Sequence, residues 1–270
     1  MNTVQRLIKS GAIALAVFLI INIFGGLLFV VSLITNIDFG GGRSRQNFEE
    51  VYENVKSVEL ELPYSDVILK VGDEFKVKGE QVSKSFRSTL EDGTLEIKEN
   101  KNWLQNQSPG TVTILIPEGI YLEELSMDSG AGRIVIDGIV SDNLELDQGA
   151  GIVEIKNSFF EQVSIDGGAG EIQVRSSTLK DLDIDAGIGR VDLEAEILGN
   201  SQINCGVGEM KIFLLGHEKD YRLSISKGIG NIQLNGVSKE SNFIHGDGIN
   251  QLRLDGGIGN IEVSFEEVDS

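Results

Sequence analysis

The amino-acid sequence predicts an all-β fold, a parallel β-solenoid with coils of about 19 residues, preceded by one N-terminal transmembrane helix. Three observations carry this expectation. An uncharged apolar run lies near the N-terminus, a Gly-x-Gly element recurs at a 19-residue spacing, and apolar and polar residues alternate on both sides of it.

The apolar run comes first. Residues 11–35 read GAIALAVFLIINIFGGLLFVVSLIT, 25 residues without a charge. At about 1.5 Å per residue a helix of this length crosses a hydrocarbon core of roughly 30 Å. A cleavable signal peptide has a shorter core of about 7–15 apolar residues and a small-residue cleavage site. The run therefore predicts an uncleaved signal-anchor, with residues 1–10 as a cytoplasmic N-terminus. Arg6 and Lys9 flank one side, Arg43 and Arg45 the other. Acidic residues count little in the positive-inside rule, so the bulk of the chain is expected outside the cell membrane. Residues 36–50 read as a linker.

Seven Gly-x-Gly elements follow, starting at Gly130, Gly149, Gly168, Gly187, Gly206, Gly228 and Gly257 and closing at Gly132, Gly151, Gly170, Gly189, Gly208, Gly230 and Gly259. The first five are 19 residues apart, and the last two follow after 22 and 29. A longer loop around GHEKDY accounts for the first excess and an insertion around VSKESNFIHG for the second. Alternation such as LELDQGAG before the pair and IVEI after it has the period of a strand with one buried face. Each repeat is thus a strand, a glycine bend and a second strand. One such unit cannot bury its apolar side alone, whereas stacked neighbours make a continuous core. Equivalent positions recur with the same sense, which predicts parallel in-register coils over residues 119–268. Leu125, Leu144, Val163 and Leu182 form one expected inward ladder, and Ile134, Ile155, Ile172 and Leu193 belong to others. The residue between the glycines (Ala131, Ala150, Ala169, Ile188, Val207, Ile229 and Ile258) is expected to face inward. Residues 51–118 alternate as strongly but lack the repeat, and read as irregular first coils that cap the stack. At the other end Glu266, Glu267 and Asp269 would charge the last edge.

Charge bounds the function. All 42 acidic residues but only 21 of the 23 basic ones lie in residues 38–270, a balance of −21. Such a surface excludes nucleic-acid binding, which needs basic groups against phosphates, and suits cationic partners. A single cysteine, Cys205, excludes an intrachain disulfide. Asp128, Asp147, Asp166, Asp185 and Asp255 each stand two residues before the first glycine, with Asn204 and Ser226 in the other repeats. An Asp there favours a turn by bonding backbone amides. A column of carboxylates is also the chemistry that Ca²⁺ takes, which makes Asp128, Asp147, Asp166 and Asp185 the candidate metal ligands. No third glycine or helix follows the pairs, so they are bends and not a nucleotide site. His217 and His245 fall in loops, and no acid–base pair stands outside the repeat register. No catalytic residue, cofactor or small-molecule substrate is expected. Trp103 is expected to cover the end of the stack.

With these repeats, the chain resembles the bacterial family described as putative adhesins, a β-strand-repeat domain of unknown function. The resemblance covers residues 55–265 and rests on VELELPYSDVILKVGD, DGTLEIKEN, TVTILIPEG and the D-x-G-x-G-x-[IV]-x-[VIL] units. It implies an extracytoplasmic envelope protein without a known catalytic set, some members being encoded in Lia-type envelope-stress operons. The expected function is a membrane-anchored, non-catalytic scaffold that binds another envelope protein or surface polymer. An alternative is a sensor of cations or cationic peptides. A polysaccharide-cleaving enzyme would need a carboxylate pair set apart from the repeat.

Overall fold

The computed structural model describes residues 45–99 and 110–266. No helix among them is long and apolar enough to cross a membrane; the apolar run 11–35, Trp103, Glu267 and Asp269 lie outside the described residues.

Seven short strands come first: β1 (Arg45–Val51), β2 (Ser57–Glu61), β3 (Asp66–Gly72), β4 (Lys76–Ser83), β5 (Arg87–Glu91), β6 (Thr94–Lys98) and β7 (Thr111–Pro117). Five long bent strands follow, β8 (Tyr121–Asp137), β9 (Val140–Lys156), β10 (Phe159–Lys180), β11 (Leu182–Leu198) and β12 (Asn200–Leu214). The chain ends in β13 (Tyr221–Ile229), β14 (Ile232–Leu234), β15 (Val237–Lys239), β16 (Asn242–His245) and β17 (Asn250–Phe265). The strand over Arg45–Val51 begins inside the stretch expected as linker.

The regular strands stack in parallel and in register, so Leu125, Leu144, Val163 and Leu182 form one column and Ile134, Val153, Ile172 and Val191 another. All eight are buried. Each such side chain contributes about 1.5–3 kcal/mol relative to exposure.

Both ends of the stack depart from chain order. The rung of β2 and β3 lies between β8 and the rung of β6 and β7. At the other end β17 lies between β12 and the rung of β13 and β14. Two expectations change with this. Residues 51–118 supply two parallel rungs covered by antiparallel strands, β5 on β6 and β4 on β7, with β1 outside β4. Glu266 follows an interior rung and not the last edge, which β15 and β16 cover antiparallel. Displacing one rung also explains the spacings: the loop before Tyr221 climbs two rungs, roughly 10 Å instead of 5.

The glycine bends are places of backbone contact. Gly132, Gly151, Gly170, Gly189, Gly208, Gly230 and Gly259 all have φ between 129° and 154°. A Cβ on Gly189 would stand 1.7 Å from the Gly170 carbonyl oxygen. The side chain between the glycines points out of the bend, contrary to the alternation that predicts it inward: Ile188 is 61% exposed and Ile229 67%. The inside of the corner is filled from the preceding slot, by Gln148, Cys205 or Lys227, all buried.

A second corner is closed by serines. Ser158 Oγ accepts from Ile139 N at 3.1 Å and donates to Lys156 O at 2.6 Å. Ser177 Oγ repeats this one rung on, accepting from Ser158 N at 3.2 Å and donating to Arg175 O at 2.8 Å.

Gly189→Ala should cost more than about 3 kcal/mol or abolish folding, because backbone must separate between rungs. Gly119→Ala, where φ is 80° and nothing lies within 4 Å, should cost only about 1–2 kcal/mol. Urea unfolding followed by circular dichroism distinguishes the two.

Candidate functional site

In-register stacking turns each outward position into a column, so the sheet faces differ by the residue types the repeat places on them. The face before the glycines carries Glu124, Ser126 and Asp128 on β8, then Asn143, Glu145 and Asp147 on β9. Gln162, Ser164 and Asp166 follow on β10, and Asp183 and Asp185 on β11. No lysine or arginine occupies any of these outward positions. The face continues toward the N-terminal end with Glu59 and Glu61, beside Lys98. At the other end Asn204 and Asp255 follow.

The face after the glycines is built from the same stack but is compensated. Arg133 pairs with Glu154, which also takes Lys156 at 2.6 Å. Arg175 pairs with Asp192 at 2.9 Å, and Arg190 with Glu209 at 3.1 Å. The acidic face is therefore not imposed by the fold.

Asp128, Asp147, Asp166 and Asp185 line one open groove along the bend together with Gly130, Gly149 and Gly168. Partial burial, and then the charges of Asp166, Glu145 and Asp128, hold the Asp147 carboxyl above its ordinary range. Asp183 is raised by burial, then by Asp185 and Asp166. Where the column changes to Asn204, its Nδ2 donates to Asp185 Oδ1 at 2.6 Å. Among the described residues no group of three or more His, Cys, Asp or Glu side chains converges to hold a metal ion. The aspartates form a solvent-facing row, one to a rung. The glycines that the sequence singles out are brought together, in two columns at the bend.

The residues with nucleophilic or acid–base chemistry lie apart from this face. His245 Nε2 meets Glu218 Oε1, and Asn235 Nδ2 donates to Glu218 Oε2 at 3.1 Å. Glu218 opens a short 3-10 turn, Glu218–Asp220, so this cluster ties the C-terminal cap together. Cys205 is buried, and burial pushes its thiol pKa up, which keeps it protonated and unreactive. The corner serines, which sequence reasoning missed, are structural; their 19-residue spacing, Ser158 to Ser177, was the available signal.

The comparison with protein families decides the affiliation. The Toastrack DUF4097 model matches residues 55–244. This chain belongs to that family. No curated protein matches it. Among solved structures, a "putative cell adhesion protein" from Clostridium sporogenes is 14% identical with a TM-score of 0.40, covering 83% of this chain and 100% of its own. A "putative adhesin" from Bacteroides fragilis is 13% identical with a TM-score of 0.43, covering 82% and 98%. A "Putative lipid binding protein" from Parabacteroides distasonis is 14% identical with a TM-score of 0.36, covering 84% and 98%. At these identities and overlaps they say nothing of what this Toastrack chain binds.

The two faces should answer pH in opposite senses. Asp147 holds its proton more tightly folded than unfolded, so its contribution is full below about pH 3.9 and lost as pH rises through its raised value. Asp147→Asn should therefore raise Tm at pH 7 and leave it unchanged at pH 3. Glu154, lowered chiefly by the hydrogen bond from Lys156, contributes above the ordinary carboxylate range and loses this as pH falls through its depressed value. Glu154→Gln should lower Tm at pH 7, and the loss should vanish in acid. Thermal melts at the two pH values check both.

Proposed function

We propose that this Toastrack protein is a membrane-anchored, non-catalytic binding scaffold of the bacterial cell envelope, with its solenoid outside the membrane, and that its partner is a cationic segment of an envelope protein or polymer. The one-sign face from Glu124 to Asp185 carries this reading, because the neighbouring face of the same stack is ion-paired across rungs. Like charges about 4.8 Å apart repel by around 1 kcal/mol per pair in water. A cationic partner removes that repulsion and gains attraction at several rungs at once, so contacts along the face act together. The uncharged run at residues 11–35 supports the anchor.

Titration of a fluorescent decalysine peptide against the full-length chain tests the face. Binding should weaken at least tenfold between about 50 and 300 mM salt, as screening shortens the reach of each charge. Converting Glu145, Asp147, Asp166 and Asp183 together to the amides should weaken it by a similar factor, while Glu209→Gln should leave it unchanged. Equal affinity in all three proteins would sink the cationic-partner reading. Protease accessibility of the solenoid on intact cells tests the outward topology separately.

A further inference from the structure

The residue between the paired glycines stands outside the bend, so in-register stacking makes it a column of its own. From β8 to β10 that column is Ala131, Ala150 and Ala169. From β11 onward it is Ile188, Val207, Ile258 and Ile229. The out-of-order rung matters here, because β17 brings Ile258 between Val207 and Ile229 and so joins four branched aliphatic side chains on consecutive rungs. All four are exposed: Ile188 by 61%, Val207 by 43%, Ile258 by 51% and Ile229 by 67%. At one strand spacing per rung the ridge is about 15 Å long. Packing does not call for it, since alanine fills the same place in three rungs of the same stack. Exposed aliphatics scattered singly are ordinary, whereas a contiguous set marks a contact site.

The columns on either side carry no net charge over the same rungs. Before the glycines, the aspartate row gives way to Asn204, Asp255 and Ser226, and Asp255 Oδ2 accepts from Arg253 Nε at 2.6 Å. After them, Arg190 pairs with Glu209 at 3.1 Å, and Asn231 N donates to Asn260 Oδ1 at 3.1 Å. The last two rungs share Gly-Ile-Gly-Asn-Ile, at residues 228–232 and 257–261, which sets an isoleucine on the ridge and an asparagine beside it in both. An apolar centre with a polar rim and few charges is the composition of a protein contact surface.

The ridge continues the acidic groove. The groove runs along the bend from Asp128 to Asp185, and β11 supplies both Asp185, its last carboxylate, and Ile188, the first member of the ridge. The bend is thus a strip of seven rungs, roughly 29 Å long, acidic with small residues over one half and aliphatic with a neutral rim over the other.

We propose that this strip is one docking surface, and that its occupant is a polypeptide segment in which a run of basic residues adjoins a run of aliphatic or aromatic ones. The inference rests on the cationic-partner reading of the acidic face and narrows it, because a purely basic chain fills only half of the strip. Attraction along the aspartates speeds encounter, and burial of the ridge adds an apolar contribution that salt does not screen. A second copy of this chain fits less well, since it brings a domain of the same charge, −21, against this one.

Three fluorescent peptides titrated against the full-length chain test the strip. One has six lysines followed by Leu-Ser-Leu-Ser-Leu-Ser-Leu, the second has the same residues with lysines and leucines interspersed, and the third has serine in place of every leucine. At about 300 mM salt, where the charges are largely screened, the block peptide should bind about tenfold more tightly than either of the others. Ile188→Ala, Val207→Ala, Ile229→Ala and Ile258→Ala together give these rungs the residue that three others already carry. That variant should lose the tenfold preference and keep its affinity for the serine peptide at about 50 mM salt, which also reports an intact fold. If none of the peptides binds, the acidic-face reading fails and the strip fails with it. If the serine peptide binds but the leucine block adds nothing, or the alanine variant keeps the preference, the strip is overturned while the acidic-face reading stands. Self-association of the natural chain in sedimentation that the alanine variant loses assigns the ridge to a second copy and also overturns it.

Discussion

At each glycine-pair bend after the first, the carbonyl oxygen of one rung occupies the volume that a Cβ would need on the next. The distances at which such a Cβ would stand, 1.9 Å for Gly151 and Gly170 and 1.5 Å for Gly259, leave no side chain that fits. The close approach fixes register at one point per coil. Everything else follows by counting outward from that point, because strand alternation then decides which residues enter the core on both flanking faces. Register set in this way does not depend on the length of chain between rungs. Spacings of 22 and 29 residues are therefore tolerated, and so is a rung inserted out of chain order.

The same geometry makes every outward residue part of a column. A choice made at one position of the repeat becomes a property of a whole face, and like charges are brought one strand spacing apart. The face after the glycines shows how a stack relieves this, by placing Arg133 over Glu154 and Arg175 over Asp192. The face before them does not use that solution between Glu124 and Asp185, although nothing in the backbone forbids it. The repulsion is small for each pair in water and is spread over several rungs, so the fold carries it without losing register.

The 19-residue period and the alternation were enough to read the parallel stack and its inward ladders, since Leu125, Ile134 and their equivalents obey a local rule. The direction of Ile188 was not legible in the same way. A period of two predicts it inward, but the glycine after it takes positive φ and turns the corner, which throws the side chain outward. Rung order was hidden for a different reason: two segments with Gly-Ile-Gly-Asn-Ile satisfy the same neighbour, and only long-range pairing says which of them sits on β12. Alternation does not tell strand direction, so the antiparallel sense of β4 and β16 is equally hidden, whereas that of β5 and β15 is signalled by Asp92-Gly93 and Asn235-Gly236, whose positive φ values make two-residue hairpin turns. Of the acidic face, the Asp column could be read from the repeat, while its contrast with a compensated neighbour required the cross-rung ion pairs.

The two ends of the solenoid solve one problem with one device. A stack of parallel rungs leaves an unpaired edge at each end, open to further pairing. Here the outermost rung at each end is followed in the chain, or preceded, by strands that turn back antiparallel over it: β4 and β5 on β7 and β6, and β15 and β16 on β14 and β13. At each end the two covering strands are consecutive in the chain and adjoin the outermost rung, β4 and β5 before β6 at one end and β15 and β16 after β14 at the other. Beyond the covering strands the chain adds one more parallel rung on the inner side, β2 with β3 at one end and β17 at the other. Capping strands and an out-of-order rung thus occur together at both ends, and the strands between the two rungs of each end are the ones that cover its edge.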